Sequence, residues 1–343
     1  MKINTGWEIP EKWTKITTID AHTEGEPLRV IIGGFPGLQG GTILERRRYA
    51  KEHFDHLRTA LMWEPRGHPN MYGCIITPPV TPEADFGVLF LHNEGFSTMC
   101  GHGIIAVTTV VLKTGIIPVK KPETKVKIDT PAGLVTAFAK IENEEVKSVY
   151  FNNVPSFALS LDKTVNVPGI GEIKFDIAFG GAFYAYVRAE EAGVKCIPEY
   201  YKLLIEKGMA IKRAVAEKEP PIHPFEKDLS FLYGTIFYET SPSDKADIRN
   251  VCIFADGELD RSPTGTGVSG HLAILYAKKK VKIGQPVVIE SIIGTHFTSK
   301  IVKTVSLEKY SAVIPQVEGT AHITGRHQFL IDPDDPLKYG FYL

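Results

Sequence analysis

A chain of 343 residues, 43% of them hydrophobic, is long enough for about two domains with cores of their own. Its 39 basic residues nearly balance 40 acidic ones, so no excess charge points to nucleic acid or to a membrane surface. No apolar run approaches the ~20 residues of a membrane span, Met1 to Trp13 lacks the apolar centre of a signal peptide, and four scattered cysteines make no disulfide framework; the expectation is a cytoplasmic protein with reduced thiols.

In chain order, residues 16–20 read as a strand, His22 to Pro27 as a turn and 28–32 as a second strand, before a Gly/Pro loop over 33–41. Over 44–63 the spacing becomes helical, with Leu44, Ala50, Phe54, Leu57 and Leu61 on one stripe. Residues 71–77 are a strand, and Pro78, Pro79 and Pro82 a rigid turn. The apolar strand 87–91 leads to Met99-Cys100-Gly101-His102-Gly103, which opens a helix over 104–112. Strands follow at 126–129, 133–138 and 146–151.

The second half repeats this order. Gly180-Gly181 leads into a strand as Gly25 does; residues 200–216 form a helix where 44–63 formed one; Tyr233-Gly234-Thr235-Ile236-Phe237 echoes Tyr72-Gly73-Cys74-Ile75-Ile76. The strand 250–254 precedes Asp260-Arg261-Ser262-Pro263-Thr264-Gly265-Thr266-Gly267, the helix 267–277 follows it, and Val287–Glu290 echoes 126–129. Matches in one order, at offsets of roughly 155 to 165 positions, indicate a fold-scale duplication. A boundary falls near Val154-Pro155, and 313–330 is expected to return to the first domain's sheet. Lys278-Lys279-Lys280 reads as a solvated helix C-terminus.

In a duplicated chain the site is expected in the cleft where both copies of one element converge. Here these are two helix N-termini, each with free N–H groups and a partial positive charge suited to a small carboxylate. Gly101, Gly103, Gly265 and Gly267 leave the backbone open to close approach. The same field lowers a thiol pKa from ~8.5 to roughly 3.5–7.5, so Cys100 is expected as a thiolate, a base or nucleophile. Cys74, Cys196 and Cys252 lie in apolar runs or beside a proline and read as small buried hydrophobes. The Thr264 hydroxyl is too weak an acid to serve as a second base; it orients a hydroxyl or relays a proton. One strong base facing one neutral hydroxyl suits proton abstraction on a single face with loss of a group elsewhere, and does not suit inversion. Asp260 reads either as an acceptor for a ligand ammonium or as an ordinary turn aspartate. His102 reads either as a group that orients substrate or tunes the thiol, or as a satisfied polar residue.

These two junctions resemble the paired signatures of the proline racemase family. So do Asp20-Ala21-His22-Thr23-Glu24-Gly25-Glu26-Pro27, Arg66-Gly67-His68, Phe90-Leu91-His92-Asn93-Glu94-Gly95, Ile289 to Thr295 and Gly319 to Gly325, nearly the whole chain. The resemblance implies the diaminopimelate epimerase-like α+β fold, with two pseudo-symmetric domains that each wrap a mostly antiparallel sheet or barrel around a central helix. On the boundary above, residues 1–154 plus about 313–343 carry Cys100, residues 155–312 carry Thr264, and the active site lies in the cleft. Racemases and 4-hydroxyproline epimerases of this family have cysteine at both junctions; Thr264 instead matches the trans-3-hydroxy-L-proline dehydratase branch. The resemblance implies Cys100 as the base, Gly101, His102, Asp260, Gly265 and Thr266 as substrate-binding residues, and a homodimer. The expected reaction removes the Cα proton of trans-3-hydroxy-L-proline and releases the 3-hydroxyl as water, helped by Thr264 as acid or as hydrogen-bond partner. The enamine tautomerises to Δ1-pyrroline-2-carboxylate, with no cofactor and no metal.

Four other readings compete. Gly265-Thr266-Gly267-Val268-Ser269-Gly270 spells G-x-G-x-x-G with Glu290 downstream, but a dinucleotide site needs the strand to run directly into the first glycine, and 256–264 intervenes. Cys100-x-His102 lacks a second Cys/His pair at metal-ligand spacing. A racemase or epimerase, and a non-catalytic amino-acid carrier, are separated from a dehydratase by their products.

Overall fold

The computed structural model describes residues 6–342, so the first five residues of the polar N-terminal stretch and Leu343 lie outside the described residues. The first half runs β1 (Thr14–Thr23), β2 (Glu26–Gly33), α1 (Ile43–His53), α2 (Asp55–Met62), β3 (Gly73–Thr77), β4 (Phe86–Leu91), β5 (Phe96–Ser97) and α3 (Gly101–Lys113). Three long strands, β6 (Glu123–Thr130), β7 (Gly133–Glu142) and β8 (Glu145–Asn152), complete it. After β9 (Phe157–Val167) the second half runs β10 (Gly171–Phe179), β11 (Phe183–Arg188), α4 (Tyr201–Lys218), β12 (Leu232–Thr240), β13 (Ile248–Phe254), β14 (Glu258–Leu259) and α5 (Gly265–Ala277). It closes with β15 (Val287–Glu290), β16 (His296–Leu307), β17 (Tyr310–Gly319) and β18 (Ala321–Ile331).

The two halves pair their strands by one pattern. β1–β2 is antiparallel, β2–β3 parallel, β3–β4 antiparallel, β4–β6 parallel, and β6–β7 and β7–β8 antiparallel. From β10 through β11, β12, β13, β15 and β16 to β17 the directions recur in the same order. β17 pairs on its other edge with β8, and β18 pairs with β1 as β9 pairs with β10.

Each half wraps this sheet around one apolar helix. Gly101 to Leu112 of α3 and Gly265 to Ile274 of α5 are buried residue by residue, as expected for helices apolar on every face. Their side chains join one continuous core, in which Val107 and Val110 of α3 and Val268 and Leu272 of α5 are fully enclosed. A smaller core lies under α1 and α2, around Ile43, Ala50, Leu61, Ile75 and Leu89.

The single helix expected over 44–63 is two, broken at Phe54, whose backbone leaves the helical region at φ −130°. No proline or glycine marks the break. Phe54 is instead drawn into an aromatic cluster with Phe35 and Tyr49. Lys278 caps α5 and reaches Asp176 at 2.7 Å, so the first lysine of the basic run is tied to the fold.

Candidate active site

α3 begins immediately after Cys100, which holds the N-cap position with extended backbone; its Sγ accepts the Gly103 N–H at 3.2 Å. A side chain at Gly103 would fall 2.5 Å from the Phe90 ring and 2.9 Å from that sulfur. Thr264 holds the corresponding place before α5, yet its φ is +63° and its side chain does not cap the helix. A left-handed conformation in a β-branched residue is strained by about 1–3 kcal/mol and persists only where surrounding structure imposes it. The Thr264 Oγ1 is buried with no hydrogen-bond partner. The two junctions match in sequence and differ in backbone.

The helix ends touch: a Cβ added to Gly101 would lie 2.5 Å from the Gly265 Cα. Around this contact a single cavity is lined by all seven residues expected at the site, Cys100, Gly101, His102, Asp260, Thr264, Gly265 and Thr266. Tyr72, Met99, Tyr184, Tyr233 and Phe254 complete the wall. The cavity has a volume of about 10 Å3, room for about one water. Polar contacts tie the turn over 258–261 to the first half. Arg261 pairs with Glu26 at 3.1 Å, Leu259 N–H donates to Asn70 Oδ1 at 3.1 Å, and Asn93 N–H donates to Glu258 Oε1 at 2.7 Å.

Burial governs the electrostatics. It pushes the Cys100 thiol well above its ordinary range; the Gly103 N–H and the Tyr72 hydroxyl pull it back, while Asp260 pushes it further up. Burial thus opposes the expected thiolate and favours the thiol, because desolvation of the anion outweighs the helix end. His102 lies with Nδ1 3.2 Å from Cys100 Sγ and is depressed by burial to about 4, hence neutral. Glu26 and Glu258 are raised by burial, and Oε1 of the former and Oε2 of the latter lack partners. Tyr72, Tyr184 and Tyr233 are likewise raised by burial and stay protonated. Asp260 is buried and accepts the Ser262 N–H at 2.7 Å.

The glycines of α5 serve close packing. A Cβ at Gly267 would fall 2.4 Å from Ile236 and one at Gly270 2.2 Å from the Tyr186 hydroxyl, which leaves no space for a pyrophosphate there. Glu290 pairs with Arg249 at 2.9 Å. Among the described residues no cluster of three His, Cys, Asp or Glu side chains is placed to hold a metal, and no helix is long and apolar enough to cross a membrane. The aromatic wall carries no motif of its own in the sequence; the one signal is that Tyr72 and Tyr233 stand at equivalent places in the repeat.

The family model described as proline racemase matches residues 18–342. A trans-3-hydroxy-L-proline dehydratase of Colwellia psychrerythraea is 47% identical over 97% of this chain and 94% of its own. One of Bacillus thuringiensis subsp. konkukian is 50% identical over 95% and 98%. The crystal structure of a hydroxyproline epimerase from Agrobacterium vitis, with bound trans-4-hydroxy-L-proline, superposes with a TM-score of 0.92 at 34% identity, covering 98% of this chain and 97% of that one.

Proposed function

The chain belongs to the proline racemase family, and on that footing we propose that it dehydrates trans-3-hydroxy-L-proline to Δ1-pyrroline-2-carboxylate without a cofactor. The observation that carries the reading is the unequal pair in the cavity: one thiol, Cys100, at one helix end and one unpartnered hydroxyl, Thr264, at the other. Relatives about half identical over most of the chain carry the dehydratase name.

In this reading the N–H groups at the starts of α3 and α5, with Gly101, Gly265 and Thr266, bind the carboxylate and take up the charge that develops on it as the Cα proton leaves. Asp260 faces the ring ammonium, and His102 positions the Cys100 sulfur. A bound ring ammonium adds a positive charge beside the sulfur and brings the thiol down to its working thiolate. Thr264 stands where a second base would complete inversion and, being neutral, does not deliver it. The two domains between which substrate is held are residues 1–154 with β18 and the segment after it, since β18 pairs with β1, and residues 155 to the end of β17, since β17 pairs with β16, so the boundary expected near 313 moves to the β17–β18 turn; a homodimer in the cytoplasm is part of the same proposal.

Incubation with a panel of proline and hydroxyproline stereoisomers in deuterium oxide tests it. The expected result is dehydration of trans-3-hydroxy-L-proline, no inversion of L-proline or trans-4-hydroxy-L-proline, and loss of dehydration in Cys100→Ser. Inverted product as the main outcome makes the protein a racemase or epimerase, and an undiminished rate in Cys100→Ser removes the thiol from the reaction.

A further inference from the structure

Tyr72 and Tyr233, equivalent in the two repeats, meet in the cavity wall with their hydroxyl oxygens 3.4 Å apart. The Tyr72 hydroxyl donates to Ser97 Oγ at 2.7 Å, and the hydrogen of Ser97 has only the distant Met99 carbonyl, at 3.5 Å. The Tyr72 ring stands edge-on to His102, with centroids 4.9 Å apart, beside the imidazole that touches Cys100. All three hydroxyl-bearing residues are buried.

The stereochemistry of the proposed substrate gives these groups a task. In a trans-3-hydroxy-L-proline the hydroxyl is trans to the carboxylate, so it projects from the same ring face as the Cα hydrogen. The base that removes that hydrogen and the hydroxyl that departs are therefore on one side. Hydroxide is a poor leaving group and needs a proton. Thr264 belongs to the other helix end, the place of the second base in an inverting pair, and so to the other face.

We propose that Tyr72 is the acid of the dehydration: it hands its phenolic proton to the departing 3-hydroxyl and recovers a proton from Cys100, while Tyr233 and Ser97 hold the phenolate in between. The inference rests on the dehydratase reading above. The Cys100 thiolate takes the Cα proton, and the electron pair of that bond becomes the Cα–C3 double bond as the C3–O bond breaks. The Tyr72 O–H bond breaks to complete a water molecule. The Cys100 thiol then reprotonates the phenolate, which restores both groups and leaves enamine and water. Burial keeps Tyr72 proton-loaded at neutral pH and makes its phenolate a strong acceptor for the return step. Ser97 needs only to turn its hydrogen from Met99 onto the phenolate.

The test compares the enzyme with Tyr72→Phe, Tyr233→Phe and Ser97→Ala on trans-3-hydroxy-L-proline in deuterium oxide, reading product and the deuterium in recovered substrate. Tyr72→Phe is expected to lose about 100-fold or more in dehydration, the usual worth of a general acid. Recovered substrate should meanwhile gain deuterium at Cα faster than product forms, because Cys100 still exchanges the proton. Tyr233→Phe and Ser97→Ala should shift the same ratio, by about 10-fold in rate. The proposal is overturned if folded Tyr72→Phe dehydrates within about threefold of the parent, or if it loses exchange and dehydration together. Should Tyr72→Phe not fold, the other two variants decide: an unchanged ratio of exchange to dehydration in both overturns it. If the parent enzyme forms no product from this substrate, it is the dehydratase reading that fails, and the relay falls with it.

Discussion

Gly101 lies against Gly265, backbone to backbone, where the first turns of α3 and α5 meet, and neither position has room for a methyl group. This contact sets how far apart the two helix ends stand, and hence where a carboxylate between them would sit.

Gly101→Ala is therefore expected to push the helix ends apart and to lower kcat/KM by about 100-fold or more, since a displacement near 1 Å at a reacting centre has that effect. Steady-state kinetics alongside a melting curve check it. An active, unshifted alanine variant would mean that the contact is slack.

The raised Cys100 thiol predicts the alkaline side of the pH profile. Burial moves it above its ordinary range, so the thiolate of the free enzyme grows only above that range. Because kcat/KM reports the free enzyme, it should still be climbing at pH 9. A plateau reached by pH 7 would show that the helix end wins over desolvation.

Thr264→Cys places a second thiol at the other helix end and removes the β-branch from a residue at φ +63°. The expected outcome is inversion of L-proline or trans-4-hydroxy-L-proline, measured by chiral chromatography, with dehydration reduced and no loss of thermal stability. Unchanged products would show that the identity of residue 264 does not select the reaction.

His271, on the buried stretch of α5, packs between Tyr186 and Tyr238 with Nδ1 unpartnered. Burial, aided by Lys278 and Lys280, lowers it from 6.5 to about 4. A depressed histidine is neutral when folded and takes up a proton on unfolding below 6.5. Its contribution to stability is whole above that pH and is lost as pH falls toward 4. In His271→Gln the pH dependence of unfolding free energy across this window should flatten by about one proton, about 1.4 kcal/mol per pH unit. Urea titrations at several pH values measure the slope. His92, depressed to about 3, and His102 keep their own share of it.

Much of the site is legible in the sequence. Cys100 and Thr264 each stand directly before a buried helix, the order of elements repeats, and the residues expected at the site line one cavity. Periodicity served less well where tertiary contacts override it. The break at Phe54 answers to an aromatic cluster, and β9 and β16 carry little strand signal because many of their residues are exposed and polar. Strand pairing between distant segments, such as β8 with β17, leaves no local mark.

The sequence by itself determined which chemistry is available: one thiol and one threonine at equivalent helix starts, glycines around both, and a duplicated order of strands and helices. Those are local features, set by residue type and spacing along the chain. Tertiary structure alone decided that Cys100 rests as a thiol, that Thr264 adopts a left-handed backbone unlike its counterpart, and that Tyr72 and Tyr233 meet over the site. Desolvation, strain and contact depend on what the rest of the chain packs around a residue, and no window of sequence contains that neighbourhood.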